Sequence, residues 1–331
     1  MEDIPPPWGS CQFSESGCPQ DRVLWKQLNL WIGEFASRVK NVLQLSSLKI
    51  EKACGRFQKI RRKRLTNIAG RGICMAEVKV RGAEIHYLDM KSHHPAVEWP
   101  VVFIHGSGGN AGMWKKVMDG LAKDYRSIAV DLPGHGSSRG EGFQSVSEYG
   151  DFINEFLEAL GLKKAVLGGH SLGGAIVQEV ALRYPKKLRA RLLIGTGARL
   201  RVLPEALELM RKMALGETPP KFHPWGFSEQ ASPEIIAEGE KEWAKTGSLV
   251  RYHDFLACDR FDIIAEVEKI RLPSLIACGK EDRLTPLKYS QFLNQKLPGS
   301  RMELIDGAGH LVMLENPRAL SQAILNFLGG L

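Results

Sequence analysis

Residues 169–173 read Gly169-His170-Ser171-Leu172-Gly173. The apolar run 165–167 precedes them and predicts a strand, and the apolar stretch 175–182 follows them and predicts a helix. A serine between strand and helix, with a glycine two positions away on each side, fits a sharp, strained turn where larger side chains would collide with neighbouring backbone. The positive end of the helix points toward an oxyanion that forms there. The stretch therefore predicts a serine nucleophile at the end of a strand.

The alternation of strand and helix continues along most of the chain. Apolar, β-branched runs predict further strands at 101–104, 127–130, 192–194, 275–277 and 302–305. Helical patterns fall between them, which is typical of a mainly parallel sheet with helices on both faces. The sequence thus predicts an α/β fold.

Residues at three helix ends are typical of caps. Ser145 and Glu148 fit a capping box. Thr285-Pro286 and Asn316-Pro317 each place a capping side chain before a proline at the first helical position. We expect a helix to begin at each of these three places.

The stretch from about 198 to 262 interrupts the alternation. It is longer than a simple crossover and carries helical patterns at 203–215 and 233–243. We interpret it as a helical cap inserted over the site.

Residues 76–330 resemble the α/β-hydrolase superfamily, and four stretches besides the serine turn carry the resemblance. They are His105-Gly106-Ser107-Gly108-Gly109, the turn 131–138, the segment 279–286 and Asp306-Gly307-Ala308-Gly309-His310. The resemblance implies an α/β-hydrolase fold with a helical cap insertion. It also implies a triad in the chain order Ser171, Asp282, His310.

The resemblance assigns a role to each predicted catalytic residue. Ser171 is the nucleophile, His310 the base, and Asp282 accepts the imidazole N–H and stabilises the imidazolium. Glu281 competes with Asp282, but we expect its side chain to point elsewhere. The implied oxyanion donors are the backbone amides of Ser107 and Leu172, with Gly108 as the alternative to Ser107.

Other motif residues are predicted to act on structure or on the substrate. We interpret His105 as a structural histidine that holds its loop, and the turn 131–138 as a mark of the fold without a chemical role. Gly106, His170, Trp225 and Leu311 are the predicted substrate contacts.

Hydrolysis of a small carboxylic ester through an acyl-enzyme is the preferred reaction. Enol-lactonases and carbon–carbon bond hydrolases share the triad and remain alternatives. Haloalkane dehalogenases and epoxide hydrolases use an aspartate nucleophile, so the serine disfavours both. No cofactor and no metal is implied, because the Gly-rich stretches fit neither G-x-G-x-x-G nor the P-loop and His93 and His94 lack ligand partners.

The net charge of +8 belongs to one end of the chain. Residues 1–74 hold 13 basic and 6 acidic side chains, whereas residues 75–331 hold 32 and 31. The nearly neutral part argues against a nucleic-acid partner. We expect 1–74 to be a basic, loosely ordered extension and 75–331 to form the complete hydrolase domain, which a chain starting at Met75 would test.

Residues 22–64 suggest an alternative of another class. They combine an amphipathic helical pattern with a basic run, as segments that bind a membrane surface or an acidic partner do. We favour a solvated extension over a non-catalytic interaction protein acting through this segment.

Three features of the sequence bear on the cellular compartment. The opening Met1-Glu2-Asp3-Ile4-Pro5 does not fit a secretory signal, and no apolar stretch approaches 20 residues. No disulfide framework is indicated either, so the sequence predicts a cytoplasmic protein.

Overall fold

The sheet organises the described part of the chain. The structure is a computed structural model that describes residues 64–67, 72–93, 95 and 97–331. Nine strands pair in the order β1-β2-β3-β5-β4-β6-β7-β8-β9. β1, β2 and β3 run antiparallel to their neighbours, and β5, β4, β6, β7, β8 and β9 are parallel to one another. The predicted mainly parallel sheet is confirmed.

The strands have the following bounds: β1 Arg64–Asn67, β2 Ile73–Val80, β3 Ala83–Met90, β4 Val101–Ile104, β5 Ser127–Val130, β6 Ala165–His170, β7 Leu188–Ile194, β8 Ser274–Gly279 and β9 Arg301–Ile305. β4, β5, β6 and β8 are buried at every position, as expected for parallel strands covered on both faces.

The α-helices have these bounds: α1 Lys115–Leu121, α2 Val146–Ala159, α3 Leu172–Arg183, α4 Pro204–Ala214, α5 Pro233–Trp243, α6 Ser248–Arg260, α7 Leu287–Lys296, α8 Val312–Glu315 and α9 Pro317–Leu328. Apolar side chains of α2 and α3 fill the core on one face of the sheet, and those of α1 and α9 fill the core on the other. No helix within the described residues has both the length and the hydropathy of a membrane span.

The antiparallel edge of the sheet reaches into the segment predicted as an extension. β2 begins at Ile73, so the predicted boundary between residues 74 and 75 lies inside a strand. β1 pairs with both sides of it, Asn67 opposite Cys74 and Leu65 opposite Met75. A chain cut at Met75 would therefore lose β1 and the start of β2. The predicted amphipathic segment 22–64 lies, except for Arg64, outside the described residues.

Two of the three predicted helix caps are confirmed and one is wrong. Ser145 accepts a hydrogen bond from Glu148 N at the start of α2, and Asn316 accepts one from Ala319 N at the start of α9. α7 instead begins after Pro286 without a side-chain cap. The Thr285 hydroxyl is bonded elsewhere, in the candidate site.

Between β7 and β8 lies an insertion, residues 198–262, that contains α4, α5 and α6. Arg199 and Asp262 pair at its base as an isolated antiparallel bridge. Its far side packs on the loop after β4, where Thr246 Oγ1 donates to Gly109 O at 3.3 Å and Asn110 Nδ2 donates to Glu242 O at 2.9 Å. The insertion is therefore closed at its base and packs on the loop that follows β4.

Chain connectivity reverses at β4, since β5 lies on one side of it and β6 on the other. Loops that leave the carboxyl ends of neighbouring strands diverge at such a point and leave a crevice. The loop after β4 and the turn after β6 both leave the sheet there, and these hold the predicted oxyanion donors and Ser171.

Candidate active site

Ser171 occupies a strained backbone position between β6 and α3. Its φ of 52° and ψ of −115° lie in a region that residues with a side chain rarely adopt. A Cβ at Gly169 would overlap the Gly173 carbonyl, and one at Gly173 would overlap Ile104 O. Both glycines are required by close backbone packing, as the sequence predicted. The turn presents a half-buried serine at the crevice.

Asp282 and His310 come from the loops after β8 and β9 and meet in a buried pair. Asp282 Oδ2 lies 2.9 Å from His310 Nδ1. A carboxylate can only accept, so Nδ1 carries a proton and Nε2 is the ring nitrogen left to act as a base. Burial raises the pKa of Asp282, but the attraction of His310 and the hydrogen bonds from His310 and Thr285 outweigh it and leave the pKa below 3.8. The predicted acid and base are thus together, with the acid ionised.

Thr285 is a site residue that sequence reasoning assigned to a helix cap. Its Oγ1 donates to Asp282 Oδ2 at 2.8 Å and lies 3.2 Å from His310 Nδ1. Asp282 Oδ1 accepts from Leu284 N at 2.9 Å and from Thr285 N at 2.8 Å. The aspartate therefore holds a turn and the imidazole together. The sequence feature that could have indicated these bonds is Asp282, three residues before Thr285, because an aspartate at that spacing often hydrogen-bonds nearby backbone.

His170 joins the serine turn to the base loop. Its Nε2 donates to His310 O at 2.9 Å, and the two rings lie 4.5 Å apart. Burial and the nearby His310 lower the pKa of His170 well below 6.5, so this ring is neutral. A Cβ at Gly106 would lie 2.7 Å from His170 Nδ1 and 3.1 Å from Ser171 Cβ. Both predicted substrate contacts, Gly106 and His170, are buried; Gly106 packs against His170 and Ser171, and His170 packs against His310.

In the loop after β4, the amides of Gly108 and Gly109 are engaged by neighbours in the described part of the chain, whereas that of Ser107 is not. Gly106 O accepts from His105 Nδ1 at 2.8 Å and from Gly109 N at 3.0 Å. Gly108 N donates to Asp254 Oδ2 at 2.8 Å, which engages the alternative oxyanion donor. Ser107 N has no acceptor among the described residues. Leu172 N is likewise without one there, as expected for the first amide of a helix.

His105 holds this loop to the turn after β5. Besides donating to Gly106 O, its ring accepts from Leu132 N through Nε2 at 3.1 Å. Burial, together with repulsion by His135, lowers the pKa of His105 to about 4. The His105 ring is therefore neutral, and both of its nitrogens are engaged, Nδ1 as a donor and Nε2 as an acceptor. This is consistent with the structural role expected for His105.

An apolar rim lies beside the base loop. Gly226 O accepts from His310 N at 2.7 Å and from Leu311 N at 3.3 Å. A Cβ at Gly226 would lie 3.6 Å from both Leu284 and Leu311. The neighbouring Trp225 is 51% exposed and stacks on His223 with ring centroids 4.4 Å apart. Leu311 follows His310 along the chain, and Trp225 precedes Gly226, whose carbonyl accepts from His310 N. Both predicted substrate contacts therefore lie close to the base.

Residues 131–138 have a structural role that the sequence did not show. Asp131 Oδ1 accepts from Ala111 N at 2.7 Å, and Oδ2 accepts from Ser137 N and lies 3.0 Å from His86 Nδ1. Burial raises the pKa of Asp131, but these hydrogen bonds outweigh it and leave the pKa below 3.8. The carboxylate fastens three segments at the edge of the crevice.

We expect Asp131→Asn to lower the free energy of unfolding by about 2 kcal/mol at neutral pH, because charge-assisted hydrogen bonds are lost. A carboxyl whose folded pKa is depressed stabilises the fold above its unfolded pKa, and this stabilisation is lost as pH falls through the folded pKa. Urea unfolding of wild type and Asp131→Asn should show a constant difference in the free energy of unfolding from pH 7 down to about pH 4. Between pH 4 and pH 3 this difference should become smaller. A difference that grows on acidification would contradict the assignment.

A protein metal site needs several His, Cys, Asp or Glu side chains grouped around one point. Within the described residues, no three His, Cys, Asp or Glu side chains are grouped as metal ligands are. Of the cysteines, Cys74, Cys258 and Cys278 are free, and Cys278 is buried as predicted. Burial raises the pKa of Cys258 to about 12 and that of Cys278 to about 11, which keeps both as thiols.

The chain matches the alpha/beta hydrolase family over residues 101–323. It therefore belongs to the α/β-hydrolase family and is a hydrolase of that fold, as the resemblance implied.

Relatives span several hydrolase types. "Putative carbamate hydrolase RutD" of Azorhizobium caulinodans is 29% identical over 244 residues, which cover 70% of this chain and 91% of that protein. Pimeloyl-[acyl-carrier protein] methyl ester esterase of Neisseria meningitidis is 29% identical over 255 residues, covering 73% and 97%. The solved structure of a thermophilic esterase from Thermogutta terrifontis has a TM-score of 0.69 and 26% identity, covering 77% and 98%.

Proposed function

We propose that this protein is a serine hydrolase that cleaves carboxylic esters through an acyl-enzyme intermediate on Ser171. The observation that carries the proposal is the buried Asp282–His310 pair, 2.9 Å apart, whose imidazole packs on His170, the residue before the serine of the strained turn. Such a pair activates a hydroxyl that is otherwise a weak nucleophile at neutral pH.

The tautomer of His310 sets the direction of proton transfer. Because Nδ1 donates to Asp282, the free Nε2 takes the proton of Ser171 Oγ while Oγ bonds to the acyl carbon. The C–O bond to the alcohol then breaks, and the alcohol leaves with that proton. Water attacks the acyl-enzyme in the same way, which releases the acid and restores Ser171.

The oxyanion is assigned to the amides of Ser107 and Leu172. Both are unengaged among the described residues, whereas the amides of Gly108 and Gly109 are committed to Asp254 and Gly106. Backbone donors placed before the reaction stabilise the developing charge without reorganisation.

The serine nucleophile is shared by several acyl substrates, and the relatives favour esters among them. Two of the relatives named above, from Neisseria meningitidis and Thermogutta terrifontis, are esterases. The insertion 198–262 would then act as a cap over the site, with Trp225 and Leu311 contributing to the acyl or alcohol pocket.

The test is hydrolysis of p-nitrophenyl esters across acyl lengths, followed in the stopped flow. We expect turnover with a burst equal to the enzyme concentration wherever deacylation is the slower step. Absence of hydrolysis across the series, with turnover of an enol-lactone or of a carbon–carbon substrate, would replace the ester assignment.

Trp225→Ala should raise KM for apolar acyl esters by about 3- to 10-fold with little change in kcat, because uniform binding area is lost. Leu203→Ala is the matched control, since Leu203 is an exposed apolar residue of the same insertion. Equal effects of the two substitutions would remove Trp225 from the pocket.

A further inference from the structure

Asp254, on α6 of the insertion, has no role in the reaction described so far. Its side chain is completely buried and accepts hydrogen bonds from three separate segments. Gly108 N and His135 Nε2 both lie 2.8 Å from Oδ2, and Tyr149 OH lies 2.6 Å from Oδ1. We call these four residues the Asp254 cluster.

The cluster contains a buried ion pair. His135 Nδ1 lies 3.1 Å from Pro133 O, and Nε2 faces the Asp254 carboxylate. Both partners are acceptors only, so both ring nitrogens carry protons. Burial lowers the pKa of His135, but the facing Asp254 outweighs it and raises the pKa above 6.5. Burial raises the pKa of Asp254, and His135 with the three hydrogen bonds brings it below 3.8.

One bond of the cluster reaches the loop that holds the proposed oxyanion donor. The Gly106 C=O and the Ser107 N–H belong to one planar peptide unit and point in opposite directions. Hydrogen bonds to Gly106 O therefore also fix the direction of the Ser107 N–H. The Gly109 N bond to Gly106 O is one of these. This bond closes a turn over residues 106–109, and Asp254 fixes the position of that turn and the orientation of its Ser107–Gly108 peptide through Gly108 N.

Gly108 makes this orientation easy to lose. Its φ is +66°, and glycine also populates the alternative conformations at little cost. A rotated Ser107–Gly108 peptide would turn the Ser107 carbonyl oxygen toward the Asp254 carboxylate, which the negative charge opposes. A side chain at Gly108 is excluded as well, because its Cβ would lie 2.8 Å from Arg251 Cγ.

We propose that Asp254 is a positioning residue that anchors the turn 106–109 through Gly108 N and thereby keeps the Ser107 amide in place for the oxyanion. The inference rests on the proposed function, since it needs Ser107 N as a donor. It makes the insertion part of the catalytic arrangement and not only a cover over the substrate.

Asp254→Asn tests the proposal, with Tyr149→Phe as its counterpart. The asparagine keeps the shape but has one neutral acceptor oxygen in place of two charged ones, so the bonds from Gly108 and the charged His135 are weakened in either rotamer. Removal of one oxyanion donor typically lowers kcat by 10²- to 10³-fold. A Ser107 amide that is held less firmly should therefore lower kcat by about 10- to 100-fold, with KM changed by less than about threefold. Affinity for a trifluoromethyl ketone, which forms the oxyanion on Ser171, should weaken by a similar factor.

Tyr149→Phe removes a hydrogen bond from the other carboxylate oxygen and leaves Gly108 untouched. We expect it to lower the unfolding midpoint while kcat stays within about twofold of wild type, since a change confined to folding stability does not alter transition-state binding. Asp259→Asn, on the same helix, controls for a lost carboxylate and should leave kcat unchanged.

Each outcome decides one part of the proposal. If wild type is active and Asp254→Asn keeps its kcat and inhibitor affinity, or if Tyr149→Phe loses kcat to the same extent, positioning by Asp254 is overturned. If wild type neither hydrolyses esters nor reacts with a fluorophosphonate at Ser171, the proposed function is wrong and the positioning role falls with it. Should Asp254→Asn not fold, hydrogen exchange of wild type decides, with a protected Gly108 amide expected and a freely exchanging one contradicting the bond.

Discussion

Ser171→Ala is expected to lower kcat for ester hydrolysis by about 10⁶-fold, because loss of a triad nucleophile costs about as much as loss of the whole triad. The substitution removes one oxygen from a half-buried side chain, so the fold should persist. Steady-state kinetics on the best p-nitrophenyl ester measures the loss, and circular dichroism checks the fold.

Ser147→Ala is the matched control for that experiment. Ser147 is an exposed serine on α2 whose hydroxyl accepts from Arg183. We expect its kcat to equal that of wild type. Retention of more than about one hundredth of wild-type activity by Ser171→Ala would show that the acyl group is transferred elsewhere, given the size of the loss that the nucleophile predicts.

Asp282→Asn should lower kcat by about 10⁴-fold, the second largest effect, with KM little changed. Its Oδ2 accepts from His310 Nδ1, and an amide at that position can present a donor instead and select the tautomer that carries the proton on Nε2. That tautomer cannot take the proton from Ser171. Measuring kcat and KM separately distinguishes this from weaker substrate binding.

Glu281→Gln is the control, because it neutralises the adjacent carboxylate without touching His310. Asp282 and not Glu281 is bonded to His310 in the structure. We expect Glu281→Gln to keep kcat within about twofold, as is usual for a substitution away from the reacting groups. A loss larger than that of Asp282→Asn would reverse the two assignments.

Features encoded by neighbouring residues were predicted well from the sequence. The strands, the turn at Ser171 and the caps at Ser145 and Asn316 depend on residues a few positions apart. Thr285 shows the limit of such reasoning, because its local pattern fits a helix cap and Asp282 competes successfully for the same hydroxyl.

Two features that depend on distant residues and carry no motif were not found. Gly108, His135, Tyr149 and Asp254 meet in space, but no spacing along the chain indicates it. The pairing of β1 with β2 was likewise missed, because the basic composition of residues 1–74 suggested a separate segment and strand partners are set by tertiary contacts.

The most direct test of the account is covalent labelling by a fluorophosphonate with peptide mapping by mass spectrometry. We predict one label per chain, on Ser171, with labelling abolished in Ser171→Ala and retained in Ser147→Ala. Such reagents phosphonylate a serine only when a base activates it and an oxyanion site is present, so they report the complete arrangement. A wild-type chain that stays unlabelled, or carries the label on another residue, would contradict the assignment of Ser171 as the nucleophile.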